Sequence, residues 1–127
     1  MNSAPAILSD INRLQTALVN REQGFEVIVK PLTRHYFSQG LYCREMAVPA
    51  RTVLVGAMHK QDHMCLVLKG KCKIVSEELT EIVEAPFMYA SKAGAKRAIY
   101  AYSDLVWVTA HATEETNIET LEQTLVE

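Results

Sequence analysis

The sequence predicts an all-β fold, a small barrel or sandwich of short antiparallel strands with a short helix at each end of the chain. Between residues 25 and 111, short segments rich in β-branched and aromatic residues follow one another without a helical period. Turn-forming residues such as Gly40, Gly70 and Gly94 separate these segments. At 127 residues, with 49% hydrophobic residues, the chain suits one globular domain spanning residues 1–127.

A helical segment is predicted over residues 1–24. In SDINRLQTALVN, which begins at Ser9, the side chains of Ile11, Leu14 and Leu18 share one stripe, and Ser9 suits the N-cap position. Gly24 ends the segment, because glycine readily adopts the backbone conformation that closes a helix.

The predicted barrel covers residues 25–111. Strands are expected in FEVIVKPL, GLYCREMAV, TVLVGAM, HMCLVLKG, CKIVSEEL, TEIVEA, FMYAS, RAIYAY and LVWVTAH. The last of these is apolar on both faces, which predicts a strand inside a sheet or at an interface. The acidic stretch SEELTEIVEA is predicted to be a solvated hairpin, and no chemistry is assigned to Glu77, Glu78 or Glu81.

A second helix is predicted within residues 112–127. Ile118, Leu121 and Leu125 share a stripe there, and Thr116 and Glu119 have the spacing of a capping box. Two amphipathic helices and a two-sided apolar strand exceed what one small barrel covers, so we expect a homo-oligomer.

The composition excludes several classes of protein. A net charge of −2 gives no bulk signal for direct nucleic acid binding. The longest apolar runs are far shorter than the ~20 residues that span a bilayer, and we expect no signal peptide. Cys43, Cys65 and Cys72 are odd in number and lack CxxC spacing, so reduced, mostly buried thiols are expected rather than disulfides or a zinc ribbon.

Two histidines form the candidate metal site. His59 and His63 are four residues apart, which places both side chains on one face of a strand. Catalytic zinc or iron normally takes three protein ligands, and the third could come from His35, Glu45 or His111. The alternatives are a metal-free polar pocket and a purely structural role.

Residues 40–111 resemble the cupin superfamily, the RmlC-like jelly-roll barrels that hold a metal or ligand between two sequence motifs. When Gly70 is aligned with the last glycine of the first motif, His63 stands at the family's glutamate and His59 at its second histidine. Ala57 then replaces the first histidine. The resemblance implies a small cupin-type jelly roll with an altered ligand set.

The second motif departs further from the family. With Gly94 aligned, Arg97 stands at the metal-binding histidine and Ala101 at the asparagine. A guanidinium repels a divalent cation and favours a carboxylate or phosphate. The alternative for Arg97 is an internal ion pair with Glu45 or Asp104.

A closer resemblance is to small cupin-like proteins of tailed bacteriophages and prophages. It rests on HYFSQGLYCREM, HKQDHMCLVLKG, AGAKRAIYAYSDLVWVTAH and the acidic terminal helix. It implies a viral protein of the host cytoplasm or the virion. We therefore expect a non-enzymatic accessory or virion-associated protein that binds a phage or host protein or a small anionic ligand.

The candidate ligand-binding residues are His59, His63, Lys96, Arg97 and Tyr100, with no catalytic residue assigned. No cofactor is expected under this hypothesis. One alternative is a cupin enzyme that uses a divalent transition metal on His59 and His63. Another is a sponge that sequesters a host nucleotide signal through Lys96 and Arg97.

Overall fold

A computed structural model describes residues 26–27, 31–55 and 60–125. These residues form two five-stranded sheets and one helix. The strands are β1 (Glu26–Val27), β2 (Leu32–Ser38), β3 (Leu41–Val48), β4 (Thr52–Val55), β5 (His63–Lys69), β6 (Lys71–Ser76), β7 (Thr80–Glu84), β8 (Phe87–Ser91), β9 (Arg97–Ala101) and β10 (Leu105–Ala112), and the helix is α1 (Ile118–Leu125).

The strands alternate between two layers. Sheet A has the order β1-β4-β9-β6-β7, and sheet B has the order β2-β3-β10-β5-β8. All pairs are antiparallel except β1 with β4. The prediction of an all-β fold is confirmed.

Strand β10 is the centre of sheet B. Trp107 lies opposite Met46 of β3 and Val67 of β5, and all three side chains face the interior. The prediction that this two-sided apolar strand lies inside a sheet is therefore confirmed.

The inner face of sheet B changes from apolar to polar along the barrel. One cross-strand row contains Thr33, Met46, Trp107, Val67 and Phe87. The next contains His35, Arg44, Thr109, Cys65 and Tyr89. The last contains Phe37, Tyr42, His111, His63 and Ser91. The apolar core, which includes Ile74, Ile99 and Leu105, fills the end of the barrel at the Trp107 row. The polar groups therefore gather at the opposite end, at the His111 row.

Two features of the ends differ from the sequence predictions. The N-cap of α1 is Asn117, whose Oδ1 accepts the Thr120 amide at 2.9 Å, and not Thr116. Strand β2, LTRHYFS, was not among the predicted strands. The predicted helix at residues 9–20 lies outside the described residues.

Gly70 joins the two sheets at a sharp corner. The sequence favours a hairpin here, but β5 and β6 belong to different sheets. The φ of Gly70 is 93°, as expected for a position that needs glycine, and a Cβ would collide with the backbone carbonyl of Asp104.

Gly70→Ala should destabilise the protein by more than ~2 kcal/mol, because it combines a left-handed backbone with a backbone clash. Gly94→Ala is the matched control, since its φ is 85° but its Cβ would meet no atom within 4 Å. It should cost only about 1 kcal/mol. Chemical denaturation of both variants measures the difference, and equal losses would contradict a clash at Asp104.

Candidate functional site

A buried cluster of polar side chains lies at the polar end of the barrel. It consists of His63, Ser91, Arg97, Thr109 and His111, which are all at most 5% exposed. Strands β5, β8 and β10 of sheet B carry four of them, and Arg97 enters from β9 of sheet A. We call this set the polar cluster. It forms because inner-face positions of separate strands come into register.

Arg97 supplies the fixed charge of the cluster. Its Nη2 donates to His63 Nε2 at 3.2 Å, and its Nη1 donates to Ser91 Oγ at 3.4 Å. Its Cζ lies 5.5 Å from the ring centroid of Trp107, in cation–π geometry. Within the described residues no carboxylate contacts the guanidinium directly, so the cluster holds a buried cation whose hydrogen-bond partners are neutral.

A counter-charge is linked to Arg97 through a hydroxyl. Ser91 Oγ donates to Glu78 Oε1 at 2.7 Å, and the Lys92 amide donates to Glu78 Oε2 at 2.7 Å. Glu78 lies on the turn of the β6–β7 hairpin, where Ser76 Oγ accepts the amides of Glu78 and Leu79. The predicted hairpin is confirmed, but Glu78 is part of the hydrogen-bond network and not only a solvated side chain.

His63 is held as a neutral imidazole. Burial lowers its pKa, and the Arg97 charge acts in the same direction, against the hydrogen bond to Gln61. Its Nδ1 lies 3.1 Å from the Gln61 carbonyl oxygen. Protonation at Nδ1 lets that atom donate to Gln61 while Nε2 accepts from Arg97, so both ring nitrogens are engaged.

His111 stacks directly on His63. The ring centroids are 4.8 Å apart, and its Nε2 lies 3.1 Å from Thr109 Oγ1. Burial, followed by the His63 and Arg97 charges, lowers the pKa of His111 to about 4. Two neutral imidazoles therefore lie beside one guanidinium at pH 7.

Aromatic rings continue the stack towards α1. The Tyr42 ring lies 5.9 Å from that of His111, and its hydroxyl is hydrogen-bonded to His35 Nδ1 at 2.6 Å. Leu121 of α1 is buried against Tyr42. The helix thus packs on the side of the barrel that carries the polar cluster.

The donor set of the described residues does not fit a transition metal. No group of three His, Cys, Asp or Glu side chains gathers in these parts of the chain. A metal at His63 would have to displace the Arg97 guanidinium from Nε2 and would then face a fixed positive charge. These residues therefore support no metal chemistry at His63 and Arg97.

The structure places the predicted site residues unevenly. His63 and Arg97 meet, while His59 lies outside the described residues. Tyr100 points to the opposite face of β9 from Arg97, and its pKa is raised to about 12 by burial and then by Tyr102. Arg97 makes the cationic contacts described for the polar cluster. Lys96 is half-buried just before β9.

The structure also bears on two alternatives from the sequence, an ion pair of Arg97 and a third ligand beside His59 and His63. Arg97 has no ion pair with Glu45 or Asp104 among the described contacts. Asp104 instead accepts the Ala50 amide at 3.0 Å. Of the possible third ligands, His111 joins the cluster, whereas Glu45 lies on the outer face of sheet B.

The two buried cysteines offer no activated nucleophile. All three are free thiols, and Cys65 and Cys72 are buried as predicted, while Cys43 is half-buried. Burial raises the pKa of Cys72 to about 11 and also raises that of Cys65. Neither buried thiol is therefore a significant thiolate at neutral pH.

Comparison with solved structures identifies the architecture. An RmlC-like cupin family protein with a double-stranded beta-helix fold from Methanocaldococcus jannaschii superimposes with a TM-score of 0.54 and 9% identity, over 68% of this chain and 84% of that one. The chain has the cupin jelly-roll fold. Neither a protein-family model nor a curated protein sequence matches it.

Other solved structures with a similar fold include enzymes. Ectoine synthase from P. lautus matches with a TM-score of 0.59 and 17% identity, over 75% of this chain and 72% of that one. Salicylate 1,2-dioxygenase from Pseudoaminobacter salicylatoxidans, in adducts with gentisate, matches with a TM-score of 0.59 and 16% identity, over 82% of this chain and 31% of that one. At such identities the likeness establishes the fold alone.

The described residues include no helix with the length and apolar character that crossing a bilayer requires.

Lowering the pH from 6.5 towards 4 should destabilise the protein. The unfolded chain takes up a proton at the ordinary histidine pKa of 6.5, whereas folded His111 remains neutral down to about 4. The cost develops as pH falls through this window and reaches on the order of 3 kcal/mol for His111. Denaturation at a series of pH values measures it.

His111→Phe keeps an aromatic ring in the stack and removes this titration. The variant should therefore lose less stability than wild type between pH 6.5 and 4. The difference in unfolding free energy between the two proteins at pH 8 reports the change in packing alone, and it is subtracted from the differences at lower pH. Parallel pH profiles for the two proteins would show that His111 is not the group that titrates.

Arg97→His should raise the affinity for Zn²⁺ at least about tenfold, because it removes a cation and adds an imidazole beside His63. Calorimetric titration of both proteins with zinc tests this. Arg97→Gln is the control, because it removes the positive charge without adding an imidazole ligand. Tight zinc binding by wild type, lost on His63→Gln, would contradict the conclusion about the donor set.

Proposed function

We propose that the protein binds a small anionic molecule, with a carboxylate as the favoured group, at Arg97 of the polar cluster. The observation that carries the proposal is a 5%-exposed guanidinium with only neutral hydrogen-bond partners among the described residues. A buried charge without a carboxylate in direct contact is costly, and an incoming anion would offset that cost.

A second donor supports an acceptor-bearing ligand. The Trp107 Nε1 atom is buried and has no hydrogen-bond partner among the described residues. Its ring lies under the Arg97 guanidinium. Buried N–H groups are nearly always paired, so an unpaired one beside a buried cation favours a partner with oxygen acceptors.

The two imidazoles suit recognition more than acid–base catalysis at pH 7. Both pKa values lie below the ordinary histidine value, so neither ring is poised to gain and lose a proton near neutrality. Neutral His63 and His111 present flat faces and hydrogen-bonding atoms without adding charge. These properties support binding of a ligand more than proton transfer to or from it.

Native mass spectrometry of the purified protein tests the proposal. The wild-type chain should retain a small acidic molecule, or should gain one from benzoate, succinate or inorganic phosphate. Arg97→Gln should lose that binding, and Arg97→Lys should weaken it about tenfold or more because the planar fork is lost. Equal binding by wild type and Arg97→Gln would refute the proposal.

Arg51→Gln is the matched control, since Arg51 is exposed and outside the polar cluster. It should bind like wild type. A retained mass that matches a nucleotide would instead favour the nucleotide sponge.

The bacteriophage setting remains a prediction from sequence resemblance. Purification of virions from an infected or induced host, followed by detection of this chain, tests it. Its presence in the infected cell but not in the particle would favour an accessory function over a virion-associated one.

A further inference from the structure

The outer face of sheet B is apolar over most of its area. Its outward positions are Leu32, Arg34, Tyr36 and Ser38 on β2, Leu41, Cys43, Glu45 and Ala47 on β3, Val106, Val108, Ala110 and Ala112 on β10, Met64, Leu66, Leu68 and Lys69 on β5, and Met88 and Ala90 on β8. Only three of these residues are charged. A face of this composition is unusual on a solvated sheet.

Large side chains on this face are exposed. Leu32 is 67% exposed, Met88 63% and Leu68 54%. Sheet A is different, because the outward positions of its β6–β7 hairpin include Lys71, Lys73 and Glu84. The outer face of sheet B is therefore more apolar than the outward positions of this hairpin.

The size of the face approaches what a stable dimer requires. Five strands about 4.8 Å apart, each of five to eight residues rising about 3.3 Å, span roughly 20 Å by 20–25 Å. That flat footprint is on the order of 450 Å², and side chains enlarge the accessible area towards the ~800 Å² per partner of a standard interface.

The charges on the face do not oppose self-association. Arg34 and Glu45 lie directly opposite each other on β2 and β3, so they offset one another within one copy. At the corner near Leu32, Lys69 and Asp104 line a recess of 480 Å³ and again bring one charge of each sign. Two copies of the face therefore meet without net like charge, and a strongly charged partner is not favoured.

We propose that this face joins two copies of the chain in a dimer, sheet B packed on sheet B. Two sheets of identical twist stack about 10 Å apart with their strands nearly aligned, which suits a symmetric pair. The interface is separate from the polar cluster, which faces the interior of the barrel. The inference is thus independent of the proposed ligand.

Sedimentation velocity across a micromolar concentration series tests the dimer. Wild type should approach twice the chain mass of 14.2 kDa. Leu68→Lys and Met88→Lys should each weaken association at least about tenfold, since each places a charge in an apolar contact. Ile82→Lys on sheet A is the matched control, because Ile82 is also 54% exposed, and it should leave association unchanged.

A measurement on the unmodified chain guards against variants that fail to fold. Oxidation of Met88 by dilute peroxide should slow as the protein concentration rises into the range where the dimer forms. A wild-type monomer with readily oxidised Met88 would overturn the proposal in favour of a free face or another partner. A monomer with protected Met88 would also overturn it, since it would indicate that the chain covers its own face. So would a dimer that dissociates on Ile82→Lys but not on Leu68→Lys or Met88→Lys.

Discussion

The register of β10 against β3 and β5 is the constraint on which the rest of the structure depends. A slip of one residue would exchange Trp107 and His111 for the small apolar residues between them. Strand β10 does not specify this register by its own hydrophobic pattern, because both of its faces are largely apolar. The neighbours specify it, since Tyr42 and His63 offer partners to His111 that an alanine or valine would leave unused.

The barrel separates its apolar core from its polar cluster along its length. One end is a continuous apolar core around Trp107, Ile74 and Ile99, whose burial provides the hydrophobic driving force for folding. The other end contains a guanidinium and two imidazoles, and the burial of these groups opposes folding. A small domain accommodates such a cluster only because the apolar end is well packed. This division explains how Arg97 is held in place without a carboxylate in contact with it among the described residues.

The sequence predicted most strands because their β-branched residues and turns are local signals. It did not single out β2, where Arg34 and His35 interrupt the apolar pattern. The meeting of His63 and Arg97 was predicted through motif alignment, since 34 residues separate them and no local pattern joins them. The hydrogen bond of Glu78 to the polar cluster was missed, because it joins the β6–β7 turn of sheet A to Ser91 on sheet B. A hydroxyl that donates to a carboxylate on another sheet leaves no recognisable spacing in a sequence.

The position of Trp107 gives the protein a built-in optical probe. It is the single tryptophan of the chain, it is fully buried, and the Arg97 guanidinium lies over its ring. The emission energy of an indole depends on the electric field along its ring, and a unit charge at this distance dominates that field in a dry interior. Any event that pairs, moves or rehydrates the Arg97 guanidinium therefore shifts the wavelength of the tryptophan emission maximum. The chain reports the state of its own interior charge without a label.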